Sequence, residues 1–148
     1  MIKCPYCRKD FNDVKNSRST FDSSQIWRRR LCRKCGKTFT TYEKVRPDFL
    51  FVIKKSGKKE RYSRENVYSG IYRAALSWKD KERIVNKIVD VVESRILDLG
   101  KKEVKTSEIS DIVLKTLKFR NIKTFVRFLV YNKQPKGEED FIKLFRKY

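Results

Sequence analysis

The feature that most constrains this chain is the placement of its four cysteines: Cys4-x2-Cys7, an insert of 24 residues, then Cys32-x2-Cys35. Two residues between cysteines let a tight turn aim both sulfurs at one point. Two such turns then close a tetrahedron of thiolates around a metal ion. Cys35 is followed by Gly36, which relaxes a turn of this kind. With four protein ligands no coordination position stays open for a substrate, so the expected metal is structural. Zinc is the expected ion, one per chain, with iron the competing choice for a sulfur tetrahedron. Segment 1–46 draws its apolar residues chiefly from Phe11, Val14, Ile26, Trp27, Leu31, Phe39 and Tyr42, too few to fold a unit of that size without a staple. It reads as short strands broken by polar turns. Trp27 and Phe39 are expected to be core, with base stacking the alternative.

Cys4-Pro5-Tyr6-Cys7 also looks like the dithiol of glutaredoxins, where the motif follows a strand and opens a helix that lowers a thiol pKa. Here no apolar strand precedes Cys4, no amphipathic pattern follows Cys7, and Cys32 and Cys35 would be left unexplained.

No stretch approaches the ~20 apolar residues of a membrane span, and the start, MIKCPYC, has no apolar run of leader length. A soluble, unsecreted protein with no membrane partner is expected, in which cysteines serve as ligands rather than disulfides. The net charge of +20 favours a polyanionic partner, unless it reflects a lysine-rich proteome. Residues 1–46 hold thirteen Lys and Arg against four acids, about twice the charge density of the remainder. Arg28, Arg29 and Arg30 crowd there, and arginine forks suit phosphate and guanine. In a strand, two of these three face one side and one the other. Arg18 and Lys37 extend the basic surface, and DNA and single-stranded RNA both fit these residues. There is no histidine, no metal-binding carboxylate cluster and no activated nucleophile, so an enzyme is not expected.

Arg46-Pro47-Asp48 reads as a linker. Beyond it, Phe49 to Ile53 is a β-rich run, Lys54-Lys55-Ser56-Gly57-Lys58 a turn, and Glu60-Arg61-Tyr62 the returning strand. Ser63 is expected to cap a helix bearing Val67, Ile71, Ala74 and Ala75. A longer helix over about 80–99 shows Ile84, Ile88, Val91, Val92, Ile96 and Leu99 on one face, with Gly100 as its stop. Thr106 or Ser107 caps a third helix with Ile109, Ile112, Val113 and Leu117. A fourth carries Phe125, Phe128, Leu129 and Tyr131 and ends at Pro135-Lys136-Gly137, and the tail, 138–148, places Phe141, Leu144 and Phe145 at helical spacing. The fold class expected is α+β: a four-cysteine ribbon over 1–46, then a hairpin with a helical bundle over 47–137. Lys54, Lys55 and Glu60 can meet a nucleotide's phosphates and its amino or hydroxyl groups, although no P-loop pattern is present.

Cys4-Pro5-Tyr6-Cys7, Asn16-Ser17-Arg18, Ile26-Trp27-Arg28-Arg29-Arg30 and the run CRKCGKTFTTYE from Cys32 to Glu43 together resemble the bacterial NrdR family. These are zinc-ribbon repressors of ribonucleotide reductase genes. The resemblance continues through Val52 to Gly57, Glu60 to Glu65, and Val126-Arg127-Phe128. It implies that the ribbon binds double-stranded operator boxes, for which the basic residues Arg18, Arg28, Arg29, Arg30 and Lys37 are the expected contacts. It implies that the second unit is an ATP-cone whose ATP or dATP occupancy sets the homo-oligomeric state, in a cytoplasmic, nucleoid-associated protein. Carried over by position, Val52, Lys54, Lys55, Glu60, Arg64 and Thr106 would serve the nucleotide. The chain departs from the family at Asn66, where lysine is usual, at Phe125, where tyrosine is expected, and at Trp27, which takes an arginine's place. The alternative is a DNA-binding ribbon whose cone only oligomerises.

Overall fold

The computed structural model describes residues 2–19, 25–76 and 78–148. They form two units, Met1–Val45 and Arg46–Tyr148.

In the first unit β1 (Asn12–Ser19), β2 (Gln25–Cys32) and β3 (Thr38–Lys44) make an antiparallel sheet in that order. A bulge between Val14 and Asn16 shifts the β1–β2 register by one residue, so that Arg18 faces Trp27 and Asn16 faces Arg29. Across β2–β3 the partners are Trp27 with Tyr42 and Arg30 with Phe39. The buried apolar cluster of this unit is Cys4, Cys32 and Phe39, flanked by Cys7 and Cys35. Phe39 is core, as expected. Trp27 is half-buried and, among the described residues, joins neither hydrophobic cluster, contrary to its expected place in the core.

In the second unit β4 (Phe51–Ile53) and β5 (Lys59–Arg61) form the expected hairpin. Its turn closes by Lys54 N–H to the Lys58 carbonyl at 2.9 Å, with Gly57 at φ 81°, a conformation that favours glycine. A third strand, β6 (Glu103–Lys105), pairs in parallel with β4, Val52 opposite Val104. That strand went unread because it has a single apolar residue and no alternation to betray it.

The helices are α1 (Arg64–Ala74), α2 (Lys81–Leu97), α3 (Thr106–Lys118), α4 (Ile122–Lys133) and α5 (Glu138–Lys147). Ser63 Oγ caps α1 by accepting from Asn66 N–H, and Asn121 Oδ1 caps α4 by accepting from Thr124 N–H at 2.9 Å. Thr106 is not the cap of α3 but its first residue, and its hydroxyl instead donates to the Ile53 carbonyl at 3.2 Å, tying α3 to β4. The buried stripe of α2 is Val85, Ile88, Val89, Val92 and Ile96. Its phase differs from the expected one, and Leu99 lies exposed beyond the helix end. These residues, Leu50 just before β4, Val52 and Val104 from the sheet, and Val113, Leu114, Leu117, Phe125 and Leu129 form one core.

The tail helix α5 lays Phe141, Leu144, Phe145 and Tyr148 on that core. Phe145 and Tyr148 meet the ring of Phe125 edge-on at 5.5 and 6.4 Å. The Tyr148 hydroxyl and Lys133 Nζ both donate to Asp111 Oδ1 at 2.6 Å. Among the described residues no helix is long and apolar enough to cross a membrane.

Phe125 has no exposed surface, while Phe119 is 87% exposed. Phe125→Ala should cost about 3–5 kcal/mol, read as a lowered urea midpoint at unchanged slope. Phe119→Ala should change stability by less than about 0.5 kcal/mol. Equal effects of the two changes would contradict this packing.

Candidate metal centre, basic ribbon and nucleotide pocket

The two cysteine pairs lie in matching knuckles. Arg8 N–H donates to the Cys4 carbonyl and Gly36 N–H to that of Cys32, both at 2.9 Å. Cys4 N–H donates to Lys9 and Cys32 N–H to Lys37. Each knuckle needs a left-handed residue just after its second cysteine. Gly36 (φ 68°) supplies it freely, whereas Arg8 (φ 62°) adopts it at a conformational cost. All four sulfurs lie within 4.8 Å of one another. Cys4 to Cys35 is 3.7 Å and Cys7 to Cys32 is 3.5 Å, close to the edge of about 3.8 Å that a tetrahedron with ~2.3 Å metal–sulfur bonds requires.

Electrostatics in the cluster are divided. The Cys35 backbone amide, aided by that of Lys34 and opposed by burial, draws the Cys32 thiol down to about 7. At Cys35 the Lys37 amide lowers the pKa, but burial and the three neighbouring thiols outweigh it and push it up to about 11. Four thiolates this close repel one another, and a divalent cation removes that repulsion. The donor set fits a closed, structural metal site with no position left for substrate.

Alternation and register divide the predicted basic residues between the two faces of the ribbon sheet. Arg28 and Arg30 share one face with Cys32, Phe39, Thr41 and Glu43. There Arg28 pairs with Glu43 at 3.0 Å, and Arg30 donates to Thr41 Oγ1 and Asn12 Oδ1. Arg18 and Arg29 share the other face with Trp27 and Tyr42. Arg29 is braced by the Thr38 hydroxyl at 2.7 Å and by that of Thr40 at 3.4 Å. Lys37 stands in the second knuckle with Nζ 4.9 Å from the Tyr6 ring centroid.

In the second unit the hairpin, α1, α3 and α4 enclose an open pocket of about 170 Å³. Four of the six expected nucleotide residues line it: Val52, Lys54, Glu60 and Thr106. Lys54 Nζ and Glu60 Oε1 form an ion pair at 2.8 Å. Val52, Val67, Val113 and Phe128 give the pocket an apolar lining, and Asn66 and Arg73 add polar groups from α1. The structure places Lys55 and Arg64 elsewhere. Lys55 is exposed in the hairpin turn. Arg64 clamps α1 to α2, held by Glu93 and by Asp90 at 2.9 Å, and donating to the Asn86 carbonyl at 3.2 Å.

Phe125 lies in the core beneath α5, away from the lining, so the missing hydroxyl there is not missing from the pocket. Asn66 does line it. Sequence reasoning overlooked Arg73, Ser110 and Asn132, which also line the pocket. Arg73 lies two turns beyond Asn66 on the same face of α1, a spacing that exposes it once the position of Asn66 is known. Its guanidinium sits 5.5 Å from the ring centroid of Tyr131 on α4.

Comparison with known proteins agrees with this division. Residues 2–43 match the family described as transcriptional repressor NrdR-like, N-terminal domain, a zinc ribbon, and residues 50–137 match the ATP cone domain. The transcriptional repressor NrdR of Lachnoclostridium phytofermentans is 38% identical over 146 residues, covering 99% of this chain and 95% of that protein. The protein of the same name from Agathobacter rectalis is 38% identical over 141 residues, 95% of this chain and 93% of its own. That of a Thermoanaerobacter species is 36% identical over 141 residues, 95% and 89%.

With so small a core, removing the metal with a chelator should unfold the ribbon strands while leaving the helical unit intact. Circular dichroism and amide exchange would show protection lost in β1–β3 and kept in α1–α4. Cys32→Ser should do the same, and a Cys32→Ser ribbon with full protection would contradict a structural metal.

Proposed function

Because this chain belongs to the NrdR family of transcriptional repressors, we propose that it represses ribonucleotide reductase genes by binding paired operator boxes in duplex DNA, under the control of ATP or dATP. One zinc ion per chain holds the ribbon. The pocket of the cone takes the nucleotide, and its occupancy sets the homo-oligomeric state and so the spacing at which ribbons are offered to the two boxes. Its place is the cytoplasm, at the nucleoid.

The observation that carries this reading is the joint presence of two sites on one chain: a basic ribbon built on four thiols, and a pocket lined by Lys54, Glu60, Arg73 and Thr106. Lys54 and Arg73 supply the positive charge that phosphates need. Glu60 supplies an acceptor for an amino or hydroxyl group. The apolar lining of Val52, Val67 and Phe128 suits the flat face of a base.

Three measurements test the reading. Light scattering of the zinc-loaded chain should give different masses with ATP, with dATP and with neither, and Lys54→Ala should weaken nucleotide binding by about tenfold or more, the loss of a charge-assisted contact. Nucleotide binding without a change in mass would remove the control by assembly, and no binding would leave a cone that only oligomerises. Affinity for the promoter of the reductase gene should fall linearly with log salt, with a slope near −0.9 per phosphate contacted. A flat response would argue against a DNA-binding ribbon.

A further inference from the structure

The two faces of the ribbon sheet are not equivalent. One is committed inward at its knuckle end, where Cys32 and Phe39 are buried, and carries Glu43 at its far end against Arg28. The other is open. Tyr42 is 64% exposed on it, Arg18 and Arg29 are exposed, and Trp27 is half-buried without joining a hydrophobic cluster. Of the charged residues whose strand register places them on this open face, Arg18, Arg29 and Lys44 are basic, and the acid Asp13, at the knuckle end, is engaged by Arg33. Neutral hydrogen-bonding groups, Asn16, Thr38 and Thr40, fill the positions between them.

At the centre sits an aromatic pair. Trp27 lies directly opposite Tyr42 on one side and opposite Arg18 on the other. Cross-strand partners hold their Cβ atoms about 4.5–5.5 Å apart, so the three side chains form one continuous strip. Two large rings left on a polar face with cations at their borders match the edge of an A·T pair in the major groove. There the thymine methyl is the one apolar group a protein can read, and the flanking phosphates need cations.

Resting on the DNA-binding reading above, we propose that this open face, carrying Arg18, Trp27, Arg29 and Tyr42, is the one laid on duplex DNA, and that Trp27 and Tyr42 give it a preference for thymine through contact with the 5-methyl group. Arg18 and Arg29 anchor the strip to phosphates or guanine edges. Arg28 and Arg30, bound to Glu43 and to Thr41 and Asn12, brace the sheet from behind.

The test uses the full zinc-loaded chain and a fragment of its own reductase promoter, prepared once with thymine and once with uracil at every thymine position. The two duplexes differ only in methyl groups. Fluorescence anisotropy should show the uracil fragment bound about tenfold more weakly, the scale of a lost base-edge contact. Trp27→Ala should bind the thymine fragment more weakly and no longer distinguish the two. Tyr42→Ala serves the same comparison if the tryptophan variant loses its zinc. Arg29→Ala should weaken both fragments more than Arg28→Ala does. Equal wild-type affinity for the two fragments, or a uracil penalty that survives in both aromatic variants, would overturn the proposal while leaving a salt-dependent DNA-binding ribbon in place. Tighter binding to the single strand than to the duplex would also overturn it, since the rings would then be stacking on unpaired bases. No binding to any fragment would remove the DNA-binding reading along with it.

Discussion

Four thiols held within 4.8 Å of one another cannot all ionise unless a cation lies between them, and the first unit depends on resolving that repulsion. Its buried apolar cluster consists of Cys4, Cys32 and Phe39, two of them ligand residues, so packing alone leaves the strands without an anchor. The knuckles bind both ends of the cysteine insert to one point and leave β1, β2 and β3 projecting from it. A sheet held from one end has no need to bury its far end. That is how Arg18, Trp27, Arg29 and Tyr42 can remain open to a partner.

The second unit is held in the opposite way, by a single apolar core drawn from the small sheet and all the helices. The pocket sits where that core meets the hairpin, so its lining is made of residues that also do structural work. Tyr62 is the clearest case. It lines the pocket and its hydroxyl donates to Glu93 at 3.3 Å, which in turn holds Arg64. Burial, and then the neighbouring Glu93 carboxylate, push the Tyr62 phenol well above its ordinary range, so it stays a neutral donor. Through these three side chains a wall of the pocket is continuous with the clamp between α1 and α2.

The metal ligands were legible because their chemistry is local: two short spacings and a following glycine suffice. Helix positions were legible for the same reason, from the Ser63 cap and from apolar periodicity. The phase of α2 was not, because Ile84, Val85, Ile88, Val89, Val91, Val92 and Ile96 offer more apolar positions than one face holds, and packing decides among them. Of the six positions carried over from the family, Val52, Lys54, Glu60 and Thr106 line one pocket. Arg64 lies outside that lining, because its partners come from α2, some twenty to thirty residues away. The β1 partner of Trp27, Arg18, depended on a β-bulge that no spacing rule announces.

The parallel pairing of β4 with β6 has a consequence in time. Val52 meets Val104 only after the hairpin, α1, α2 and their connections have been made, and closing so long a loop is entropically slow. The ribbon, by contrast, pairs strands whose partners lie close in sequence and is complete by residue 45. On a ribosome the ribbon can therefore close around its metal before β6, α3 and α4 exist. The unit held by four thiols is finished first, and the unit held by an apolar core arrives last.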